Sequence, residues 1–118
     1  MIEAEIYVTV GTEQKVQHLM KTFNIPRNRI FGSRDDSFVE GIMRETQRNG
    51  VDLVLNSLSG ELLHASWQCV APFGKMVEIG KRDLIGFGKL DMNVFLANRN
   101  YCCVDADAFR KKPSMMNR

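Results

Sequence analysis

The stretch that decides the fold is VDLVLNSLSGE, residues 51–61. It begins with an apolar run, Val51 and Leu53–Leu55, that is too short for an independent helix and rich in residues that favour strands. Runs of this kind are typical of strands in a parallel sheet that helices cover on both faces. The apolar character stops at Asn56 and Ser57. The stretch therefore predicts a buried central strand that ends in a polar turn.

The polar turn after this strand has two interpretations. In open α/β sheets, ligands bind just beyond the carboxyl ends of strands, and Asn56, Ser57 and Ser59 occupy such a position. The same small polar residues are also common in turns and helix caps, where they need no ligand. The spacing alone favours the structural interpretation, so a binding role depends on further evidence.

Strand and helix patterns alternate along the rest of the chain. A β-branched and aromatic segment predicts a strand over 5–10, and Thr12 can cap a helix over 13–23. The later predicted elements are strand 29–32, helix 37–47, the central strand, helix 60–70, a turn over 71–74, strand 75–79, a polar loop over 81–88, a short helix over 90–96 and strand 100–104. This alternation predicts an α/β fold with a partial Rossmann-like, mostly parallel sheet flanked by helices.

The bulk composition argues against several classes of function. The chain has 118 residues, and its apolar and charged fractions are those of an ordinary globular domain. A formal net charge of +2 is too small to predict binding to nucleic acid or to a membrane surface. No apolar run is long enough to span a bilayer, and the first residues lack the basic region of a secretory signal.

The cysteines and histidines give no metal or hydrolase signature. Cys69, Cys102 and Cys103 lack metal-ligand spacing, and they predict reduced thiols and a cytoplasmic location, where disulfides are rare. His18 and His64 have no partner at ligand spacing, so no metal site is predicted. A G-x-S-x-G turn is absent from the sequence, which argues against a hydrolase.

A second group of candidate binding residues follows the first two predicted strands. Thr12 and Lys15 lie at a helix start, where backbone N–H groups favour an anion and a lysine adds a charge-assisted bond. Ser33 and Arg34 follow the next strand and can reach the same anion. In dinucleotide-binding folds, a basic environment at this strand end accommodates the 2′-phosphate of NADP. The alternative, which the residues alone favour, is a set of helix caps and solvated side chains.

Four blocks of the sequence resemble one known family. They read IYVTVGTEQKVQHL (6–19), RIFGSRDDSF (29–38), GVDLVLNSLSGELLHAS (50–66) and CVAPFGKMVEIGKRDL (69–84). In order and spacing they are similar to the enoyl reductase domain of type I iterative polyketide synthases, and the fungal highly reducing synthases look most similar. That domain belongs to the zinc-independent medium-chain dehydrogenase/reductase superfamily. The resemblance predicts a partial NADP-binding domain over 1–105 and a disordered tail over 106–118.

The resemblance implies an NADPH-dependent enoyl reductase. Such enzymes transfer hydride to the β-carbon of an α,β-unsaturated acyl chain held on an acyl carrier protein, and add a proton at the α-carbon. The cofactor-binding residues implied by the resemblance are Thr12, Lys15, Ser33, Arg34, Asn56, Ser57, Leu58, Ile79 and Gly80. Lys15 and Asp35 are the corresponding candidates for the proton donor, although Lys15 is assigned to the phosphate in preference.

Parts of the family pattern are not present in the sequence. These are the substrate-binding portion, the first strand of the nucleotide fold and its glycine-rich G-x-G-x-x-G turn. We therefore expect a fragment that is inactive alone and binds NADPH weakly or not at all. Without the first strand, the strands over 5–10 and 53–56 either pair directly or remain in a split sheet. The alternative function is a catalytically inactive nucleotide-fold module that acts through a partner chain, such as the missing half of the reductase.

Overall fold

The computed structural model describes residues 4–105 and confirms the predicted α/β class. The elements are β1 Val8–Val10, α1 Glu13–Phe23, β2 Ile30–Gly32, α2 Phe38–Glu45, β3 Val51–Asn56, α3 Glu61–Gln68, β4 Val70–Glu78, α4 Arg82–Ile85 and β5 Asn100–Cys103, with 3₁₀ turns at Arg27–Arg29 and Met92–Phe95. All strand pairs among these elements are parallel. The chain divides into two compact units, of which the first ends at Gly50 and the second begins at Val51.

The first unit contains a two-stranded sheet and two helices. β1 pairs with β2 in a register that aligns Val8 with Ile30. The strand predicted over 5–10 is shorter than expected, because only three of its residues have partners in β2. Gly41 of α2 lies directly against the ring of Phe31, where a Cβ would clash with the ring. This close approach packs α2 onto β2.

Helix α1 has the predicted limits at both ends. The Thr12 Oγ1 accepts a hydrogen bond from the Lys15 N–H at 3.2 Å, which is the usual N-cap contact. Asn24 adopts the left-handed conformation, with φ of 56°, and ends the helix. Both ends are therefore determined by residues within or next to the helix itself.

The second unit contains a three-stranded parallel sheet in the order β3–β4–β5. Its core consists of four buried side chains, Leu63, Trp67, Val70 and Met76. The Trp67 indole N–H donates to the Asp91 carbonyl at 3.2 Å, and the indole ring packs edge-on against Phe95. Because the strands are parallel, their carboxyl ends lie at one edge of the sheet, where ligands bind in folds of this class.

Strand β3 is less buried than its sequence predicts. Asn56 is buried, but the side chains of Leu53 and Leu55 are 56% and 69% exposed. Val54 packs against the core of the second unit, and alternation along a strand directs Leu53 and Leu55 to the opposite face. The prediction of burial on both faces is wrong for this reason. Among residues 4–105 the strands pair in two separate sheets, which is the second of the two expected outcomes.

Residues 71–74, predicted as a turn, belong to β4. Val51 pairs with Val70 and Leu53 with Lys75, so five steps along β4 correspond to two along β3. The excess residues form an irregularity within one strand rather than a turn between two elements. Gly74 is suited to this place, because a Cβ there would lie 2.9 Å from two carbonyl oxygens.

Three further predictions concern the C-terminal part of the chain. The polar loop predicted over 81–88 contains the short helix α4, and the helix predicted over 90–96 is a 3₁₀ turn. The predicted tail over 106–118 lies outside the described residues. None of the helices in the described part of the chain has the length and apolar character needed to cross a bilayer.

Candidate functional site

The residues that follow β1 and β2 form the first candidate site, which we call the first-unit edge (Gly11, Thr12, Ser33 and Arg34). The Arg34 Nε–H donates to the Gly11 carbonyl at 2.7 Å, and the Ser33 N–H donates to the Val10 carbonyl at 3.0 Å. A Cβ added to Gly11 would lie 3.8 Å from both Ser33 Oγ and Arg34 Nη2. The structure therefore brings these predicted site residues together around Gly11.

Two other predicted residues lie near this edge, Lys15 on the first turn of α1 and Asp35 in the turn before α2. Lys15 is exposed, and its backbone N–H donates to Thr12 Oγ1. The Asp35 Oδ1 accepts from the Ser37 N–H at 3.0 Å. Hydrogen bonds from the side chain and backbone of Ser37 lower the pKa of Asp35. A carboxyl group with a lowered pKa carries no proton at neutral pH, so Asp35 suits a turn contact before α2 better than proton donation.

A cleft of about 160 Å³ lies beyond the carboxyl ends of β3 and β4 in the second unit. Three predicted site residues line it: Ser57, Leu58 and Gly80. Asn56 is buried and does not line the cleft, and neither does Ile79, whose N–H donates to the Asn56 carbonyl at 3.0 Å. Of the predicted site residues in this unit, Ser57, Leu58 and Gly80 therefore border the cleft, whereas Asn56 and Ile79 support the backbone beside it.

Behind the cleft is a set of hydrogen bonds that we call the Glu78 network (Asn56, Glu78, Gly80 and Tyr101). The Asn56 Nδ2–H group donates to Glu78 Oε2 at 2.6 Å and to the Leu58 carbonyl at 2.8 Å. The Gly80 N–H donates to Glu78 Oε1 at 3.0 Å, and the Tyr101 hydroxyl donates to Oε2 at 3.4 Å. Glu78 and Asn56 are each 2% exposed. The network therefore joins the last residues of β3 and β4 to Tyr101 of β5.

Sequence analysis missed the four charged residues that line this cleft, Glu78, Lys81, Arg82 and Asp83. Lys81 lines it, and the Lys81 Nζ lies 2.8 Å from Asp105 Oδ1 in an ion pair. Asp83 also lines it, and the Asp83 Oδ2 accepts from the Gly60 N–H at 2.9 Å, which attaches α4 to the start of α3. The available signal was the position of Lys81 just beyond the end of β4, in a segment interpreted only as a polar loop.

The comparison with family models identifies the chain. Residues 28–114 match the family described as zinc-binding dehydrogenase. The chain belongs to this family. Among solved structures, it is similar to the nucleotide-binding subdomain of the enoyl reductase domain of PpsC from Mycobacterium tuberculosis, with a TM-score of 0.84 and 31% identity over 98% of this chain and 64% of that chain. The CurK enoyl reductase is similar with a TM-score of 0.72 and 32% identity over 97% of this chain and 33% of that chain.

Curated relatives confirm the predicted resemblance to polyketide synthases. The highly reducing polyketide synthase sphB of Aspergillus fumigatus is 67% identical over 112 residues, which are 95% of this chain and 4% of the relative. The highly reducing polyketide synthase g433 of Fusarium sp. is 60% identical over 114 residues, again 4% of its length. The chain therefore corresponds to a small part of these relatives, and its own family is one of oxidoreductases.

The family implies a nicotinamide cofactor, and the residues present fit one. The first-unit edge offers a guanidinium group and the amino end of α1, which suit a phosphate. The second-unit cleft is lined by small polar residues and a glycine together with charged side chains, among them Ser57, Gly80 and Lys81. Within residues 4–105, no group of three or more His, Cys, Asp or Glu side chains is arranged to hold a metal ion.

Proposed function

We propose that this family member is part of an NADPH-dependent enoyl reductase that acts on α,β-unsaturated acyl chains carried by an acyl carrier protein. The observation that carries the proposal is Lys81, an ionisable side chain that lines the cleft beyond β3 and β4 and is paired with Asp105. A bound NADPH supplies hydride for the β-carbon. The remaining requirement is a proton for the α-carbon, which a side chain at the cleft must deliver.

The first-unit edge has the role of binding the 2′-phosphate of NADPH. The Arg34 Nε–H donates to the Gly11 carbonyl. This hydrogen bond orients the guanidinium group and therefore its two terminal nitrogens. Guanidinium groups bind phosphate through paired hydrogen bonds, and Ser33, Thr12 and Lys15 add polar groups nearby. Gly11 and Thr12, which directly follow β1, carry no carboxylate, and the carboxylate of the next residue, Glu13, is paired with Arg27 at 2.7 Å.

The second-unit cleft has the role of holding the nicotinamide and the reacting carbons. Ser57 and Ser59 present hydroxyl groups at the cleft, and the backbone turn at Leu58 is fixed by two hydrogen bonds from and to the Asn56 side chain. Turns that are held in this way need little rearrangement when a ligand binds, which lowers the free-energy cost of binding.

Lys81 has the role of general acid. Of the two basic side chains at the cleft, Lys81 and Arg82, only a lysine releases its proton, because arginine stays protonated in proteins. Asp105 orients the Lys81 ammonium group through the ion pair at 2.8 Å. The Lys81 side chain is 39% exposed, so solvent can restore its proton after transfer to the α-carbon. Lys15 and Asp35, the earlier candidates, are assigned to phosphate binding and to a turn contact.

The test is an NADPH oxidation assay with a crotonyl thioester. The chain is assayed alone and mixed with the remainder of the enoyl reductase domain of the Aspergillus fumigatus relative. We expect Lys81→Met to reduce the rate about 10²-fold or more, as for other general acids, with NADPH binding retained. Lys89→Met, in the exposed segment after α4, is the matched control and should keep the wild-type rate. Equal rates for the two variants would refute the assignment.

A second candidate function is a non-catalytic module that acts through a partner chain. The exposed Leu53 and Leu55 of β3 favour it, because an apolar strand face of this kind is commonly covered by another polypeptide. In the same assay, this function predicts no NADPH oxidation by the mixture, although the two polypeptides co-elute on size exclusion. Activity that appears only on mixing supports the enoyl reductase.

A further inference from the structure

Glu78 is a buried acidic residue that the proposed mechanism does not use. Its carboxylate is 2% exposed and lies at the wall of the second-unit cleft. Burial of a carboxylate is costly unless hydrogen bonds compensate its charge. A chain that retains such a group beside a cleft has either a structural or an electrostatic use for it, and the surrounding contacts distinguish the two.

The contacts of Glu78 surround its carboxyl group with hydrogen-bond donors. Its oxygens accept from the Asn56 amide, the Gly80 N–H and the Tyr101 hydroxyl. An amide NH₂ and a backbone N–H are donors only, so they pair with the acceptor oxygens of Glu78. Burial raises the pKa of Tyr101, and the charge of Glu78 raises it further, which keeps the hydroxyl protonated as a donor.

These three donors are neutral, so they compensate the Glu78 charge without cancelling it. Hydrogen bonds stabilise a buried carboxylate, and its negative charge still acts on groups at the cleft, whose lining also includes Lys81, Arg82 and Asp83. Two of the donors also belong to the cleft turns. Asn56 holds the Leu58 backbone, and Gly80 is itself a lining residue. Glu78 thus combines a fixed charge with control of the turns after β3 and β4.

We propose that Glu78 is a positioning residue whose buried charge favours the oxidised, positively charged state of a nicotinamide ring bound in the second-unit cleft. The inference rests on the proposed function. When hydride leaves with both bonding electrons, the ring gains one positive charge, and a nearby carboxylate stabilises that charge. The chain would then favour hydride transfer towards the acyl substrate. A residue that only maintained the fold would affect both cofactor forms equally.

The experiment compares the affinities for NADP⁺ and NADPH by ¹H–¹⁵N NMR titration of the full chain, a method that measures millimolar dissociation constants. The ratio of the two constants isolates the ring charge, because the phosphates are the same in both molecules. For Glu78→Gln we expect NADP⁺ binding to weaken about tenfold relative to NADPH. An unchanged ratio in a folded Glu78→Gln chain overturns the inference while leaving the proposed function intact.

Tyr101→Phe is the matched control, since it removes one donor to Glu78 and keeps the charge. Its ratio should equal that of the wild type, and a shift as large as in Glu78→Gln would assign the effect to structure and overturn the inference. If Glu78→Gln does not fold, Glu78→Asp is measured instead. It retains the charge and should retain the wild-type ratio of the NADP⁺ and NADPH dissociation constants. A tenfold shift of that ratio in Glu78→Asp also overturns the inference. Wild-type chain that binds neither nucleotide refutes the proposed function, and the inference with it.

Discussion

The first-unit edge consists of exposed and half-buried residues, whereas the second-unit cleft rests on a buried network. At the edge, Arg34 is exposed and makes one hydrogen bond to the Gly11 carbonyl. Behind the cleft, Glu78 and Asn56 are buried and joined to each other and to β5. Charged groups for binding can therefore lie at the surface at little cost in stability. The precise turns of the cleft, in contrast, require buried polar groups.

The largest expected effect concerns the core on which the cleft depends. Trp67→Ala should lower the free energy of unfolding of the second unit by about 3–5 kcal/mol, because it leaves a cavity in a buried core. Urea denaturation followed by circular dichroism measures the change. Phe73→Ala is the control, since Phe73 is 78% exposed, and should change stability by less than about 0.5 kcal/mol. Similar losses for both variants would contradict the core assignment.

The next prediction tests whether the Glu78 network carries stability. Asn56→Ala removes the 2.6 Å donor from a buried carboxylate and should cost about 2–3 kcal/mol of unfolding free energy. Tyr101→Phe removes a longer, 3.4 Å contact and should cost less than about 1 kcal/mol. Urea denaturation of the two variants measures the loss of unfolding free energy in each and shows which loss is larger. The reverse ranking would show that the Tyr101 contact, rather than the Asn56 amide, compensates Glu78.

Arg34 of the first-unit edge should show the opposite behaviour, with an effect on binding and none on stability. Arg34→Ala is expected to weaken 2′,5′-ADP binding about tenfold, because a guanidinium–phosphate contact is lost. Binding of 5′-AMP, which lacks the 2′-phosphate, should be unchanged. NMR titration measures both ligands, and the urea midpoint should match the wild type. Equal loss of both ligands would mean that Arg34 does not recognise the 2′-phosphate.

The smallest expected effect is local to α1. Thr12→Ala removes the cap contact to the Lys15 N–H and should reduce stability by about 1 kcal/mol. Thr12→Ser retains the hydroxyl and serves as the control. Hydrogen exchange at the Lys15 and Val16 amides should accelerate in Thr12→Ala alone. Equal exchange in both variants would argue that the methyl group of Thr12, rather than its hydroxyl, stabilises the helix start.

Much of the fold was predictable because its signals are local. The limits of α1 follow from Thr12 and Asn24, and the end of β3 follows from the change to polar residues at Asn56. The first-unit edge was also predictable in part, since its residues directly follow β1 and β2. Their roles in cofactor binding stay predictions, as does the boundary of the nucleotide-binding domain at residue 105.

The wall of the cleft could not be predicted, because its contacts join residues far apart in the chain. Asn56 and Glu78 are 22 positions apart, and Glu78 and Tyr101 are 23 apart. Glu78 has the pattern of an ordinary strand residue until the register of β3, β4 and β5 is known. The exposure of Leu53 and Leu55 was mispredicted for a related reason. An apolar side chain is compatible with burial, but the packing of other elements determines which face of the strand is covered.

The amino-acid pattern was sufficient to predict the family, the α/β alternation and the polar residues at the strand ends. These properties depend on residue type and on spacing over a few positions. The three-dimensional structure was needed to show that Lys81 pairs with Asp105. It was also needed to show that Glu78 is buried at the cleft that Ser57 and Gly80 line. Both arrangements form where parallel strands end side by side. The alignment of these strands is fixed by hydrogen bonds between strands, not by residues that are close together along the chain.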